Sequence, residues 1–127
     1  MLIAMTAAVM AAGQARPQEE NRLYDRALLL IEAGQFERAR LSLDTLLNAY
    51  PKTALRAEAQ AAIRTSWVRQ GIGDPDPMLL FQEGQIRLTD GKREGALIAF
   101  QTLINVYPAS EYAQKARQAI NALQPKD

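Results

Sequence analysis

The chain of 127 residues contains no Cys and no His. Without Cys it has no thiol nucleophile and no disulfide, and without His no imidazole base. Together the two absences remove the usual nitrogen and sulfur ligands of zinc. Aromatic residues are scarce, at 6% of the chain with a single Trp, so the core must be built mainly from aliphatic side chains and Ala. There is no excess of charge of either sign, since 15 Lys and Arg stand against 14 Asp and Glu. The basic residues form no run, which leaves no electrostatic footprint for a nucleic acid. Glycine-rich phosphate loops and Ser-nucleophile motifs are also missing, and the adjacent pair Glu19 and Glu20 has no pocket signal around it. No catalytic residue, metal site or cofactor is therefore assigned, and the chain is read as a non-enzyme.

What is present is an apolar, uncharged stretch from Leu2 to Ala12, followed by small residues up to Ala15 and then the polar Arg16–Glu20. It has the form of a secretory signal with cleavage after Ala15, although no basic residue precedes it. A spanning helix needs about 20 apolar residues, so the stretch is short for that purpose. The alternative is a retained apolar or interfacial helix over residues 1–15, through which the chain would dock as an accessory subunit of a membrane-associated complex.

The strongest feature is an internal repeat. Displacing Leu23–Ile63 by 57 residues lays it without gaps on Leu80–Ile120, with 12 identities in 41 pairs. They include Gly34/Gly91, Ala39/Ala96, Leu46/Leu103, Tyr50/Tyr107 and Pro51/Pro108, and most other apolar positions keep their character, as in Leu43/Phe100. Within each copy the apolar residues recur at helical spacing. Tyr24, Ala27, Leu28 and Ile31 share one face, and Gly34 follows as a left-handed cap. Ala39, Leu43, Leu46, Leu47 and Tyr50 stripe a second helix that opens near Glu37 and stops at Pro51. Thr53 is expected to cap a third helix carrying Leu55, Ala59, Ala62, Ile63 and Trp67, with Ser110 in the same place in the second copy. Trp67 is expected to pack the open end of the first unit. The expected organisation is a leader or helix at 1–15, a three-helix unit at 21–70, a Gly/Pro linker at 71–77 and a second unit at 78–124. In the linker, Asp76 and Pro77 form a cap and first-turn pair for a helix starting at Met78. Turn and cap duty also accounts for Asp74 and Asp76 better than a calcium loop does, because such a loop needs more oxygen ligands.

The small and apolar positions Ala27, Gly34, Ala39, Leu43, Leu46 and Pro51, and their counterparts Gly84, Gly91, Ala96, Phe100, Leu103 and Pro108, resemble the tetratricopeptide repeat. The resemblance implies an all-α fold, a right-handed helical solenoid with two copies of the three-helix unit. The segments ending in Tyr50-Pro51 and Tyr107-Pro108, each running on into an Ala-containing helix, are similar to the BamD-like outer-membrane assembly lipoproteins and the periplasmic Tol-Pal coordinating proteins. That similarity implies a protein-binding scaffold of the bacterial envelope, periplasmic or associated with the outer membrane. The sequence offers no Cys for the lipid-bearing position of those lipoproteins. Arrays of this kind bind a partner's peptide along the first helices. By that resemblance the groove would be lined by Asn21, Tyr24, Leu28 and Glu32 from the first copy, with Met78, Phe81, Gln85 and Thr89 from the second. Burial between helices is the alternative for Tyr24, Leu28 and Phe81, and plain solvated surface for Asn21, Gln85 and Thr89. The expected partner is a segment of another envelope protein. Arg56, Arg64 and Arg69 are read as a solvated helical face, with an acidic partner or anionic lipid surface as the alternative.

Overall fold

The computed structural model describes residues 18–124, so the apolar segment 1–15 lies outside the described residues. Among the described residues six helices follow one another: α1 over 18–32, α2 (Phe36–Ala49), α3 (Arg56–Gln70), α4 (Pro77–Thr89), α5 (Arg93–Val106) and α6 (Glu111–Leu123). The protein is all-α, a solenoid of tetratricopeptide type made of two three-helix units. Among the described residues no helix is long and apolar enough to cross a membrane.

The turns are equivalent in the two copies because their glycines adopt the same backbone conformation. Gly34 has φ +77° and Gly91 φ +76°, in the left-handed region where a Cβ is penalised. In the first turn the Gln35 amide donates to Leu30 O and the Gly34 amide to Ile31 O. Lys92 and Gly91 repeat the pattern onto Arg87 and Leu88. Two of the carbonyls that a helix end leaves without partners are thereby satisfied in each copy.

The second joints differ slightly. Ser110 caps α6 as expected, its side chain accepting from the Tyr112 amide. Thr53 instead accepts from the Leu55 amide at 3.1 Å, inside a turn, and α3 begins only at Arg56. A short extra turn after Pro51 thus moves the helix start past the hydroxyl that would have capped it. Asp76 caps α4 through the Leu79 amide at 2.8 Å, with Pro77 rather than Met78 as the first helical residue. The Tyr107 hydroxyl donates to Pro75 O at 2.6 Å and so holds the linker against the second unit.

One continuous apolar core runs through both units. Ala27 and Ala39 are fully buried where α1 crosses α2, and Ser42 donates to Leu23 O at 2.9 Å, so small residues bring these helices close. In the second unit Gly84 stands opposite Phe100 in the same crossing. Helix α5 is the hub: it packs on α4 and α6 within its unit and on α2 and, more lightly, α3 of the other. The expectation for Trp67 is corrected by this arrangement. It is 1% exposed and lies between units, with Arg40 of α2 over its ring at 3.8 Å and the Arg87 side chain of α4 reaching it at 5.2 Å.

Candidate functional site

The third helix decides the shape of the surface. Glu32, at the end of α1, pairs with Arg69, near the end of α3, at 2.9 Å. Tyr24, in the middle of α1, and Glu58, early in α3, line the same cleft away from that pair. The two helices therefore run in the same direction, with α3 occupying the seat beside α1. Large residues on one wall, Tyr24, Leu28 and Ile31, face small ones on the other, Ala61, Ala62 and Thr65. Side chains too short to meet across the gap leave an open cleft of about 360 Å³. Leu28 is 38% exposed at its rim. The floor is apolar, and the charges stand at the ends: Glu58 at one, the Arg69–Glu32 pair at the other. That pair is solvent-exposed on both sides, and exposed pairs contribute little to stability.

The eight residues assigned to one groove by resemblance are distributed over three places. Tyr24, Leu28 and Glu32 line the α1/α3 cleft. Asn21 belongs to a different face of α1, beside Gln18, Arg22, Asp25 and Leu29. Met78, Phe81, Gln85 and Thr89 are on α4 and do not reach the α1/α3 cleft. Phe81 is half-buried, its ring 5.6 Å from Phe100 and 5.9 Å from Tyr112. These aromatic contacts take up the space in the second unit that corresponds to the cleft of the first. Thr89 donates its hydroxyl to Gln85 O at 3.1 Å, a contact within its own helix. The three arginines of α3 are each engaged within the chain: Arg56 with Pro51 O, Arg64 over the Tyr107 ring of the other unit and Arg69 with Glu32 of α1.

Two buried charged residues were not singled out by the sequence reading. The Arg40 guanidinium lies 3.8 Å from the centre of the Trp67 ring and donates to Ser66 Oγ at 2.9 Å and Gln70 Oε1 at 2.7 Å. Burial, and then the neighbouring Arg87 charge, lower its pKa to about 10, so it stays protonated at neutral pH. Asp44, one turn later on α2, accepts from Thr102 Oγ1 at 3.0 Å and Asn105 Nδ2 at 2.9 Å, both on α5. Burial raises its carboxyl to about 7, against the opposing effect of those two hydrogen bonds. One signal was available: the counterparts of Arg40 and Asp44 in the second copy are Leu97 and Gln101, uncharged residues at core-facing spacing.

The helical repeat agrees with the comparisons to known proteins. A family model described as Tetratricopeptide repeat matches residues 23–53 and 79–110. The matched segments cover most of α1 and α4 and all of α2 and α5, each ending just past its Pro turn, and leave α3 and α6 outside. No curated protein and no solved structure matches the chain.

Proposed function

We propose that this chain, a tetratricopeptide-repeat protein, is a non-enzymatic scaffold that holds a segment of another protein in the α1/α3 cleft. The repeat is a protein-interaction module rather than a catalytic one, and a protein partner follows from it. The observation that carries the more specific reading is the cleft itself, an open apolar floor between Tyr24 and Leu28 on one side and Ala61 and Thr65 on the other. A concave apolar strip with polar groups at its ends suits an extended or helical peptide.

An envelope setting, with a role in outer-membrane assembly or envelope maintenance, is supported by the form of residues 1–15 and by the similarity of the Tyr-Pro segments to envelope repeat proteins. The intact mass of the protein from its native host tests the address. A mature chain starting at Arg16 supports export, and a retained Met1 in a membrane complex supports the accessory-subunit alternative.

The cleft is tested by Tyr24→Ser combined with Leu28→Ser, with Ala61→Trp as a second, filling variant. Capture of partners from a host envelope extract should fall at least about ten-fold in both variants, the loss expected when an apolar anchor is removed. Circular dichroism and the thermal midpoint of each variant establish that it is folded. Undiminished capture by the folded variants overturns the assignment. Phe81 is unsuited to this test, since it packs on Phe100 and Tyr112.

A further inference from the structure

Helices α2 and α5 form an extensive seam between the two units, and a carboxylate is buried in it. Asp44 is 3% exposed, and both of its hydrogen-bond donors, Thr102 and Asn105, are neutral and belong to the other unit. Asp44 takes part in none of the ion pairs among the described residues.

Its surroundings hold few charges. Arg40, on the same helix, is the cation nearest in effect, but two of its nitrogens already donate to Ser66 and Gln70. Arg87 and Glu83 of α4 and Glu37 of α2 pair with one another beyond Arg40. Helix α5 brings Gln101, Thr102 and Asn105, α6 brings Ile120, and Gln124 follows just after α6. From α3, Gln60 donates to Asn105 O, and Arg64 is over Tyr107. On the α1 side, Arg26 and Arg38 border a separate cleft with Leu41 and Thr45.

The repeat supplies a comparison within the molecule. Gln101 is the counterpart of Asp44, and Asn48 is the counterpart of Asn105. Gln101 Nε2 donates to Asn48 Oδ1 at 3.4 Å, so the mirrored pair across the seam is formed by an amide. That mirrored pair is exposed, and Thr45, the counterpart of Thr102, donates to Leu41 O within its own helix, so only at Asp44 does the seam enclose an ionisable group.

We infer that Asp44 is a proton-linked latch between the two repeat units, closing the α2–α5 seam when neutral and loosening it when ionised. With its proton in place, Asp44 Oδ2 donates to Thr102 Oγ1, a hydroxyl that can also accept, while Oδ1 keeps accepting from Asn105. No charge is then buried. On ionisation the same two donors face a desolvated anion without a dedicated cation, and opening the seam to water relieves the cost. Burial places the transition near neutral pH, at about 7. Small changes in ambient pH would thus alter how firmly the cleft-bearing first unit is held to the second.

The experiment uses the full chain and its Asp44→Asn variant. Carbon-13 NMR of Asp side chains should show the Asp44 carboxyl titrating near pH 7, well above the other Asp residues. After correction for intrinsic rates, hydrogen exchange of amides in α5 beside the seam should be roughly ten-fold faster at pH 8 than at pH 6 if opening lets Asp44 ionise freely. In Asp44→Asn this ratio should be close to one. An Asp44 carboxyl that titrates near 4, or the same exchange ratio in the variant, overturns the latch. The carboxyl titration needs no substitution, so it decides the matter even if the variant folds poorly.

Discussion

Gly84 lies under the Phe100 ring so closely that a Cβ at residue 84 would stand 2.4 Å from Phe100 Cε1. The equivalent pair in the first unit is Ala27 and Leu43. The two copies fill the same helix crossing by trading volume: a larger residue on the second helix goes with a smaller one on the first. Gly84→Ala gains about 1 kcal/mol of helix propensity but must displace a fully buried ring. Overpacking costs about 1–3 kcal/mol, so a net loss is expected. In a Phe100→Leu background the same change should turn stabilising, since it recreates the pair of the first unit. Urea unfolding of the four variants in a double-mutant cycle checks the change of sign.

The turn glycines provide an internal replicate. Gly34 and Gly91 have matching φ values, and nothing lies within 4 Å of the place where a Cβ would be added at either. The cost of Ala at these positions is therefore conformational alone, about 1 kcal/mol each. Gly34→Ala and Gly91→Ala should lower stability by the same amount, and their effects should add in the double variant. Thermal unfolding of the three proteins is the measurement.

Arg40 and Trp67 are in contact but should respond differently to replacement. Arg40→Met removes a desolvated charge next to Arg87, and Ser66 keeps its bond to Ile63 O. Arg40 Nε also has no acceptor among the described residues. Replacing a buried ion with an apolar side chain of similar length is commonly neutral or better, so a change within about 1 kcal/mol is expected at pH 6. Trp67→Ala opens a cavity where both units meet and should cost about 3–5 kcal/mol. Urea denaturation of each variant separates the two outcomes.

Asp44 makes stability depend on pH in the direction opposite to that of a salt-bridged carboxylate. Its carboxyl is raised from 3.8 to about 7 on folding, so between those values the folded chain holds a proton that the unfolded chain has released. Stability from this group is full below pH 3.8 and falls as pH rises to about 7, by on the order of 4 kcal/mol. Asp44→Asn should accordingly gain on the natural chain as pH goes from 5 to 7.5, and the difference should level off above that. Unfolding free energies of both proteins at matched pH measure it.

Much of the fold was legible because its signals are local. Of the two expected stripes, Ala27, Ile31, Ala39, Leu43, Leu46 and Leu47 are buried, Tyr24 and Tyr50 half-buried and Leu28 exposed, and the Gly34 and Gly91 turns and the Asp76 and Ser110 caps fall where the spacing put them. The binding surface was less legible. First helices of a two-helix array stand side by side, but here a third helix takes the neighbouring seat, so Tyr24 and Leu28 face Ala61 and Thr65 instead of Met78 and Phe81.

The 57-residue repeat, the helices of residues 18–124 and their joints follow from the amino-acid order, since periodicity, glycine conformation and proline stops act within a few residues. Only the tertiary structure decided which helices flank the cleft and which charges are enclosed. Arg40 and Asp44 are enclosed only once α3 and α5 pack against α2. The partners that make their burial tolerable, Ser66, Gln70, Thr102 and Asn105, come from 26 to 61 residues away. The cost of burying a charge is set by what surrounds it in space, and helical spacing alone carries no record of that.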